Sequence, residues 1–281
     1  MSTMPKVVSR PAKSHGALPA VRGSMAAGEG GGKLAALPST QAIREKTGTR
    51  AEGIAACLAP AIATREGCRI LVYGRTRWGK SSFARHLVDA ARAEGVASTV
   101  LISDPKYQDR AQYEGELVHS AQGIGPALTS GAETLVLRPG VSVAEGAAAC
   151  RLLAESGEPC LLLVDETRRA LAGQQRWIDA GGPDGPQAGP KNLEWILLEG
   201  GGVRASLVLL VQRPRQLPGD AVDSAQVHVC FGLGGRSLAY LADAGTVPKE
   251  AAETIKRLQP GAFCLFADDE EWDGKTYYSP I

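Results

Sequence analysis

One short segment constrains the fold of this 281-residue chain more than any other, because it joins a strand, a tight loop and a helix. An apolar run from Arg69 to Tyr73 precedes the pattern G-x-x-x-x-G-K-[ST], and an amphipathic stretch from Ser82 to Glu94 follows it. In that setting the pattern is typical of a phosphate-binding loop. The two flanking elements disfavour the alternative, a glycine-rich turn with an accidental Lys-Ser pair. We therefore predict an α/β fold built around a nucleotide site.

The loop supplies the groups that a triphosphate requires. Glycines at its two turning points let backbone N–H groups approach the phosphates closely. We expect Lys80 to neutralise the β- and γ-phosphates, Ser81 to ligate Mg²⁺, and the following helix to add its N-terminal dipole. Whether the bulky Arg75, Arg77 and Trp78 touch the nucleotide, a neighbouring subunit or neither stays open. The residues predicted to bind ATP are Gly74, Arg75, Thr76, Arg77, Trp78, Gly79, Lys80, Ser81 and Ser82.

A second candidate site follows another apolar strand, Cys160 to Val164, which ends in two carboxylates. At the carboxyl end of a strand, Asp165 is suited to hold Mg²⁺ and Glu166 to polarise an attacking water as a general base. Switch GTPases and small-molecule kinases generally lack this adjacent glutamate. The competing interpretation is an acidic turn that caps a helix from Thr167 to Arg176. We predict Asp165 as a metal ligand and Glu166 as catalytic.

A third strand, Ala205 to Val211, ends in Gln212. An amide at that position is suited to contact the γ-phosphate or the attacking water and to report hydrolysis to the rest of the fold. Taken alone, the signal is weak. Gln212 joins Glu166 and Lys80 as a catalytic candidate.

Short β-type runs alternate with helical stretches over residues 51–281, the rhythm of one α/β domain. Several runs are continuously apolar, as central parallel strands are. A closing β-hairpin is predicted from Ala262 to Ala267 and from Lys275 to Ser279. The predicted strands are Arg69 to Tyr73, Ala97 to Ser103, Gly115 to His119, Glu133 to Arg138, Cys160 to Val164, Ala205 to Val211 and Gln226 to Phe231.

Residues 1–50 form a basic segment rich in Gly, Ala and Pro, with eight Lys and Arg against two Glu. It lacks sustained apolar periodicity and is predicted to be a disordered tail. Two interpretations remain open: electrostatic attachment to DNA or to a partner, and a solvated extension without a role.

The six cysteines are scattered without Cys-x-x-Cys pairs or metal-ligand spacing, so no zinc site is predicted. Three of them lie in apolar strands, which favours a reducing compartment. No apolar run is long enough to cross a bilayer, and we expect a soluble protein.

Several ordered motifs from about Ile70 onward resemble those of the HerA/FtsK superfamily of ring-forming DNA pumps. Besides the loop and Asp165-Glu166, they are Asp104-Pro105-Lys106, the stretch from Gln212 to Pro218, and Pro260-Gly261 before the hairpin. The resemblance implies a RecA-like P-loop NTPase core of the additional-strand type, with a mostly parallel central sheet between helices. It further implies a homohexameric ring in which Mg²⁺-dependent ATP hydrolysis moves double-stranded DNA irrespective of sequence.

Within that superfamily the compact chain looks most like the genome-packaging ATPases of viruses with internal membranes, such as tectiviruses. This implies a capsid or portal-vertex partner and a location in the host cytoplasm or the virion. The resemblance also implies an arginine finger. Arg204, Arg213 and Arg215 are candidates, and we predict Arg204. The chain departs from its relatives here, because Gly-Gly-Gly-Val precedes Arg204 where many carry a Gly-Arg pair.

Two segments are candidates for DNA contact. The glycine- and proline-rich stretch from Gly181 to Pro190 either grips phosphates in a ring channel or is an exposed disordered loop; it is flanked by Arg168, Arg169, Arg176 and Lys191. The stretch from Asp104 to Tyr107 either relays between nucleotide and DNA or turns the chain. No base-reading module is visible, so sequence-specific recognition is not predicted.

Three other functions remain open at this stage. A cellular or plasmid DNA transfer or repair translocase would carry the same motifs. A nucleotide-binding scaffold would bind ATP without hydrolysing it. A small-molecule kinase would transfer phosphate without needing DNA.

Overall fold

The computed structural model describes residues 47–105, 113–167, 192–217, 219–267 and 275–278. All of them belong to the unit from Pro38 to Ile281. The predictions for residues 1–46, for Lys106 and Tyr107, and for the stretch from Gly181 to Pro190 with its flanking Arg168, Arg169, Arg176 and Lys191 lie outside the described residues.

The described residues form ten strands and eight α-helices. The strands are β1 (Thr47–Thr49), β2 (Arg69–Tyr73), β3 (Thr99–Ser103), β4 (Glu116–Val118), β5 (Thr134–Leu137), β6 (Cys160–Val164), β7 (Ala205–Val211), β8 (Val227–Cys230), β9 (Phe263–Ala267) and β10 (Lys275–Tyr278). The helices are α1 (Arg50–Thr64), α2 (Lys80–Ala93), α3 (Ile124–Thr129), α4 (Val143–Glu155), α5 (Asn192–Leu198), α6 (Gly219–Asp223), α7 (Gly235–Asp243) and α8 (Ala251–Arg257).

All ten strands belong to one sheet, in the order β1-β10-β9-β8-β2-β7-β6-β3-β5-β4. The seven strands from β8 to β4 run parallel, whereas β9 is antiparallel to both β8 and β10. The α/β fold, the mostly parallel sheet and the closing hairpin are therefore confirmed. Strand β7 lies between β2 and β6, so one strand separates the predicted phosphate-binding loop from Asp165, as the additional-strand prediction requires.

The central strands of the sheet are buried on both faces, which explains why they are continuously apolar. All seven residues of β7 and all five of β6 are buried. Alternate side chains enter two separate cores: Leu207 and Leu209 pack on the side of α4, α5, α7 and α8, and Val208 and Leu210 on the side of α1 and α2. A sheet covered in this way leaves its strand ends as the accessible places for a ligand.

The first strand lies within the range predicted as tail. Thr47–Thr49 pair in parallel with β10, with Thr47 opposite Thr276 and Thr49 opposite Tyr278. Helix α1 begins directly afterwards, because the Thr49 side chain accepts a hydrogen bond from the Glu52 amide and the Glu52 side chain caps the Thr49 amide in return. The ordered sheet thus begins upstream of Ala51. Three residues are too short a run to register as a strand in the sequence.

Candidate nucleotide site

The predicted loop joins β2 to α2. It lies at the edge of the sheet where the carboxyl ends of the parallel strands are found. The Gly74 amide donates to the Val211 carbonyl at 3.1 Å, so the first loop residue is joined to the end of β7. Gly79 has a φ of 99° immediately before α2 begins at Lys80. Residues with a side chain rarely adopt this left-handed backbone conformation, which explains why the motif has a glycine at this second position.

The Lys80 side chain folds back into the loop. Its Nζ donates to the carbonyl oxygens of Gly74 at 2.8 Å and of Arg75 at 2.9 Å, and the residue is only 8% exposed. The ammonium is therefore held inside the curve of the loop. A cation fixed there, in front of a helix N-terminus, favours a bound polyphosphate.

Two side-chain oxygens from separate parts of the chain meet beside Lys80. Ser81 Oγ donates to Asp165 Oδ2 at 3.2 Å. Asp165 is 3% exposed, and its amide donates to the Ser103 carbonyl at 3.0 Å, which fixes it at the junction of β6 and β3. A hydroxyl and a carboxylate are donors that Mg²⁺ prefers, and such sites use one or two protein ligands plus substrate phosphates. The residues present thus fit a magnesium–triphosphate complex.

Glu166 follows in a strained turn. Its φ is 52°, a left-handed value that costs a residue other than glycine about 1–3 kcal/mol. The next residue stabilises this turn, because the buried Thr167 Oγ1 donates to the Leu210 carbonyl at 2.9 Å. Glu166 itself is half-buried. The chain therefore turns directly after Asp165, and Glu166 lies at the same strand end.

Gln212 follows Val211 and is exposed. Since β7 lies between β2 and β6, the backbone of Gln212 lies between the end of β2, where the loop begins, and the end of β6, where Asp165 lies. The structure accordingly brings the neighbourhoods of Lys80, Ser81, Asp165, Glu166 and Gln212 to one edge of the sheet.

The bulky interior of the loop contacts its own chain. Trp78 is half-buried against Gly232, where a Cβ atom would lie only 2.0 Å from Trp78 Cζ3. The Gly261 amide donates to the Trp78 carbonyl at 3.2 Å, and the Arg75 amide to the Gly232 carbonyl at 3.2 Å. The Arg75 guanidinium lies 5.6 Å from the centre of the Trp78 ring. These contacts attach the loop to the segments that follow β8 and precede β9.

The remaining loop residues are more open. Thr76 and Arg77 are exposed, and Arg77 has a φ of 65°. Ser82 Oγ accepts a hydrogen bond from Arg50 Nη2 at 3.0 Å. Burial and the nearby charge of Arg85 both lower the pKa of Arg50. Arg50 thus brings a cation from the start of α1 to the first turn of α2.

Arg204 lies at the opposite edge of the sheet. It directly precedes β7, whose other end meets the loop, and its Nη2 donates to the Gly95 carbonyl at 3.2 Å beyond the far end of α2. The structure therefore does not bring Arg204 to the Lys80 of its own chain. Arg213 follows Gln212 and is exposed, and the Arg215 guanidinium lies 5.9 Å from the centre of the Tyr240 ring.

Two contacts near Asp165 each involve one residue, Tyr113 or Arg138, that the sequence did not identify as part of the site. The Tyr113 hydroxyl donates to Asp165 Oδ2 at 3.1 Å. Directly after the neighbouring strands β5 and β3, Arg138 Nη1 lies 3.1 Å from Asp104 Oδ2, with side chains 9% and 1% exposed. In the sequence, Asp104 stands out only as part of Asp104-Pro105-Lys106. A polar residue directly after a buried strand, as Arg138 is after β5, was the available signal.

No protein-family model matches the sequence, and no curated protein sequence matches it. Solved structures do match. The genome packaging NTPase B204 of Sulfolobus turreted icosahedral virus 2, in complex with sulfate, gives a TM-score of 0.58 at 17% identity, covering 77% of this chain and 98% of that one. Its complex with AMPPCP gives 0.58 at 17% identity, covering 76% and 98%.

The DNA-packaging ATPase B204 of Sulfolobus turreted icosahedral virus gives a TM-score of 0.56 at 17% identity, covering 76% of this chain and 98% of that one. The chain has a P-loop NTPase fold. At this level of identity the similarity concerns the fold, whose sheet also carries the loop and the acidic strand end. Among the described residues, no helix is both long and apolar enough to cross a membrane.

Proposed function

We propose that this chain is an ATPase that moves double-stranded DNA, as a genome-packaging motor. One observation carries the nucleotide part of the proposal: Ser81 Oγ and Asp165 Oδ2 lie 3.2 Å apart, beside a lysine held inside a glycine-rich loop. This is the donor set that a magnesium–triphosphate complex requires.

The roles follow from position. The loop from Gly74 to Ser82 cradles the phosphates with its amides, and Lys80 neutralises their charge. Ser81 and Asp165 hold Mg²⁺, which when bound stabilises the negative charge on the phosphates. Glu166 accepts a proton from the attacking water, and Gln212 orients that water or the γ-phosphate.

Arg204 has a role only between subunits. Because it lies at the far edge of its own sheet, it acts as an arginine finger only towards the nucleotide of a neighbouring subunit. A homohexameric ring supplies such a neighbour. We keep Arg204 in this role, and Mg-ATP as the substrate complex of each subunit.

The DNA part rests on the fold. The B204 proteins that share it are described as genome packaging and DNA-packaging enzymes. We extend that activity to this chain, with double-stranded DNA bound irrespective of sequence and a capsid or portal-vertex protein as the docking partner. The protein then works in the host cytoplasm or at the virion. A cellular or plasmid translocase is the alternative within the same mechanism.

The test measures phosphate release with and without linear duplex DNA, together with displacement of a triplex-forming strand from that DNA. A motor releases phosphate faster with duplex and displaces the third strand only with ATP and Mg²⁺. A scaffold binds ATP but releases no phosphate. A kinase consumes ATP when an acceptor molecule is present and does not need DNA. Either of those outcomes contradicts the motor.

A further inference from the structure

Tyr113 contacts the acidic site from a segment outside the loop and the strand ends that form it. It lies 52 positions before Asp165, ahead of β4, and is 4% exposed within the core on the α1 and α2 side. A tyrosine buried so deeply needs a partner for its hydroxyl. Here that partner is the carboxylate predicted to hold Mg²⁺.

The hydrogen bond has a defined direction. A phenol carries an O–H group that can donate, whereas an ionised carboxylate can only accept, so the Tyr113 hydroxyl donates and Asp165 Oδ2 accepts. Asp165 Oδ2 receives hydrogen bonds from Tyr113 at 3.1 Å and from Ser81 at 3.2 Å. Two donors on one oxygen, together with the anchored Asp165 amide, fix the orientation of the carboxylate.

We propose that Tyr113 is a positioning residue that holds Asp165 in the orientation needed for Mg²⁺ and thereby sets the metal affinity of the nucleotide site. The inference rests on the proposed ATPase function. Partners that orient a metal-ligating carboxylate typically change metal affinity by about 10- to 100-fold. Tyr113 lies outside the loop from Gly74 to Ser82 and contacts Asp165, so we expect its effect in the metal-dependent part of binding.

The variant Tyr113→Phe keeps the ring and removes only the hydroxyl. Tyr73→Phe is a matched control, because Tyr73 is also buried and its hydroxyl bonds to His228 Nδ1 at 3.2 Å rather than to the acidic site. Each variant loses one buried hydrogen bond, so their thermal unfolding should change similarly. A purely structural role for Tyr113 would make the two variants equivalent in every assay.

The readout is binding of a fluorescent, non-hydrolysable ATP analogue, in EDTA and across a Mg²⁺ titration, with Mn²⁺ binding followed by electron paramagnetic resonance. For Tyr113→Phe in EDTA, we expect the same affinity for the ATP analogue as in the wild type. The Mg²⁺ concentration that gives half of the metal-dependent gain in analogue affinity should rise about tenfold, as should the Mn²⁺ concentration for half-occupancy. Tyr73→Phe should match the wild type.

If wild-type binding responds to Mg²⁺ but Tyr113→Phe responds like Tyr73→Phe, the positioning role is wrong and the ATPase proposal survives. If wild-type binding shows no response to Mg²⁺, the proposed site and the inference fail together. Should Tyr113→Phe prove unstable, the Mn²⁺ measurement is repeated at a temperature where its circular dichroism matches that of the wild type.

Discussion

Ser81 Oγ lies 3.2 Å from Asp165 Oδ2, although the two residues are 84 positions apart in the chain. Parallel strands create this contact, because β2 and β6 end at the same edge with only β7 between them. The same edge carries further contacts whose removal has measurable consequences.

Trp78 leaves no room for a side chain at position 232. In Gly232→Ala the new Cβ meets the Trp78 ring at 2.0 Å, so the ring and the loop that carries it must move. We expect a loss of about 1–3 kcal/mol in the free energy of unfolding. We also expect weaker ATP binding. Gly235→Ala is the control, since a Cβ there meets nothing within 4 Å. Equal nucleotide affinity in both variants, measured by calorimetry, would contradict the coupling between this contact and the loop.

Asp104 and Arg138 form a buried ion pair whose separation should be costly. Arg138→Met leaves the Asp104 carboxylate, which is 1% exposed, without this cation. We expect a loss of about 3–5 kcal/mol in denaturant unfolding. The exposed pair of Glu253 and Lys256 provides the comparison, and Glu253→Gln should change stability very little. Similar small effects in both variants would show that the buried pair contributes little.

His228 makes stability depend on pH. Burial lowers its pKa from 6.5 to about 4, with a backbone contact at Ala225 opposing the shift. The folded protein therefore favours the neutral ring, and the unfolded chain takes up a proton first as the pH falls. The stabilisation is complete above pH 6.5 and falls by roughly 3 kcal/mol on acidification towards pH 4.

Urea unfolding from about pH 7 to about pH 4.5 measures this loss. His228→Asn keeps an acceptor for the Tyr73 hydroxyl but does not titrate in this range. It should therefore show a shallower decline. An equally steep decline in the variant would assign the pH dependence to other groups.

Arg204 should act only between subunits. Arg204→Ala is expected to bind ATP normally yet hydrolyse it about a thousandfold more slowly, because an arginine finger acts in the transition state. Mixing it with Lys80→Ala should restore part of the turnover, since some interfaces then pair an intact Lys80 with an intact Arg204. Mixed oligomers that remain inactive would argue against a role in trans.

Local sequence patterns predicted where the central strands begin and end. Strands β2, β6 and β7 match their apolar runs residue for residue, because a covered parallel strand is apolar throughout. Their order followed only from the family resemblance. Tyr113 and Arg138 were missed as site residues because their partners lie 52 and 34 positions away in the chain, so no local pattern links them to those partners.

The proposed function requires that the loop and the acidic strand end form one pocket that hydrolyses ATP. The most direct test compares Glu166→Gln and Lys80→Ala with the wild type in parallel assays of nucleotide binding and phosphate release. Glu166→Gln should bind a non-hydrolysable ATP analogue as the wild type does, while its phosphate release falls by about 10²- to 10⁴-fold. Lys80→Ala should lose both. Wild-type rates of phosphate release in both variants would mean that ATP is not hydrolysed in this pocket.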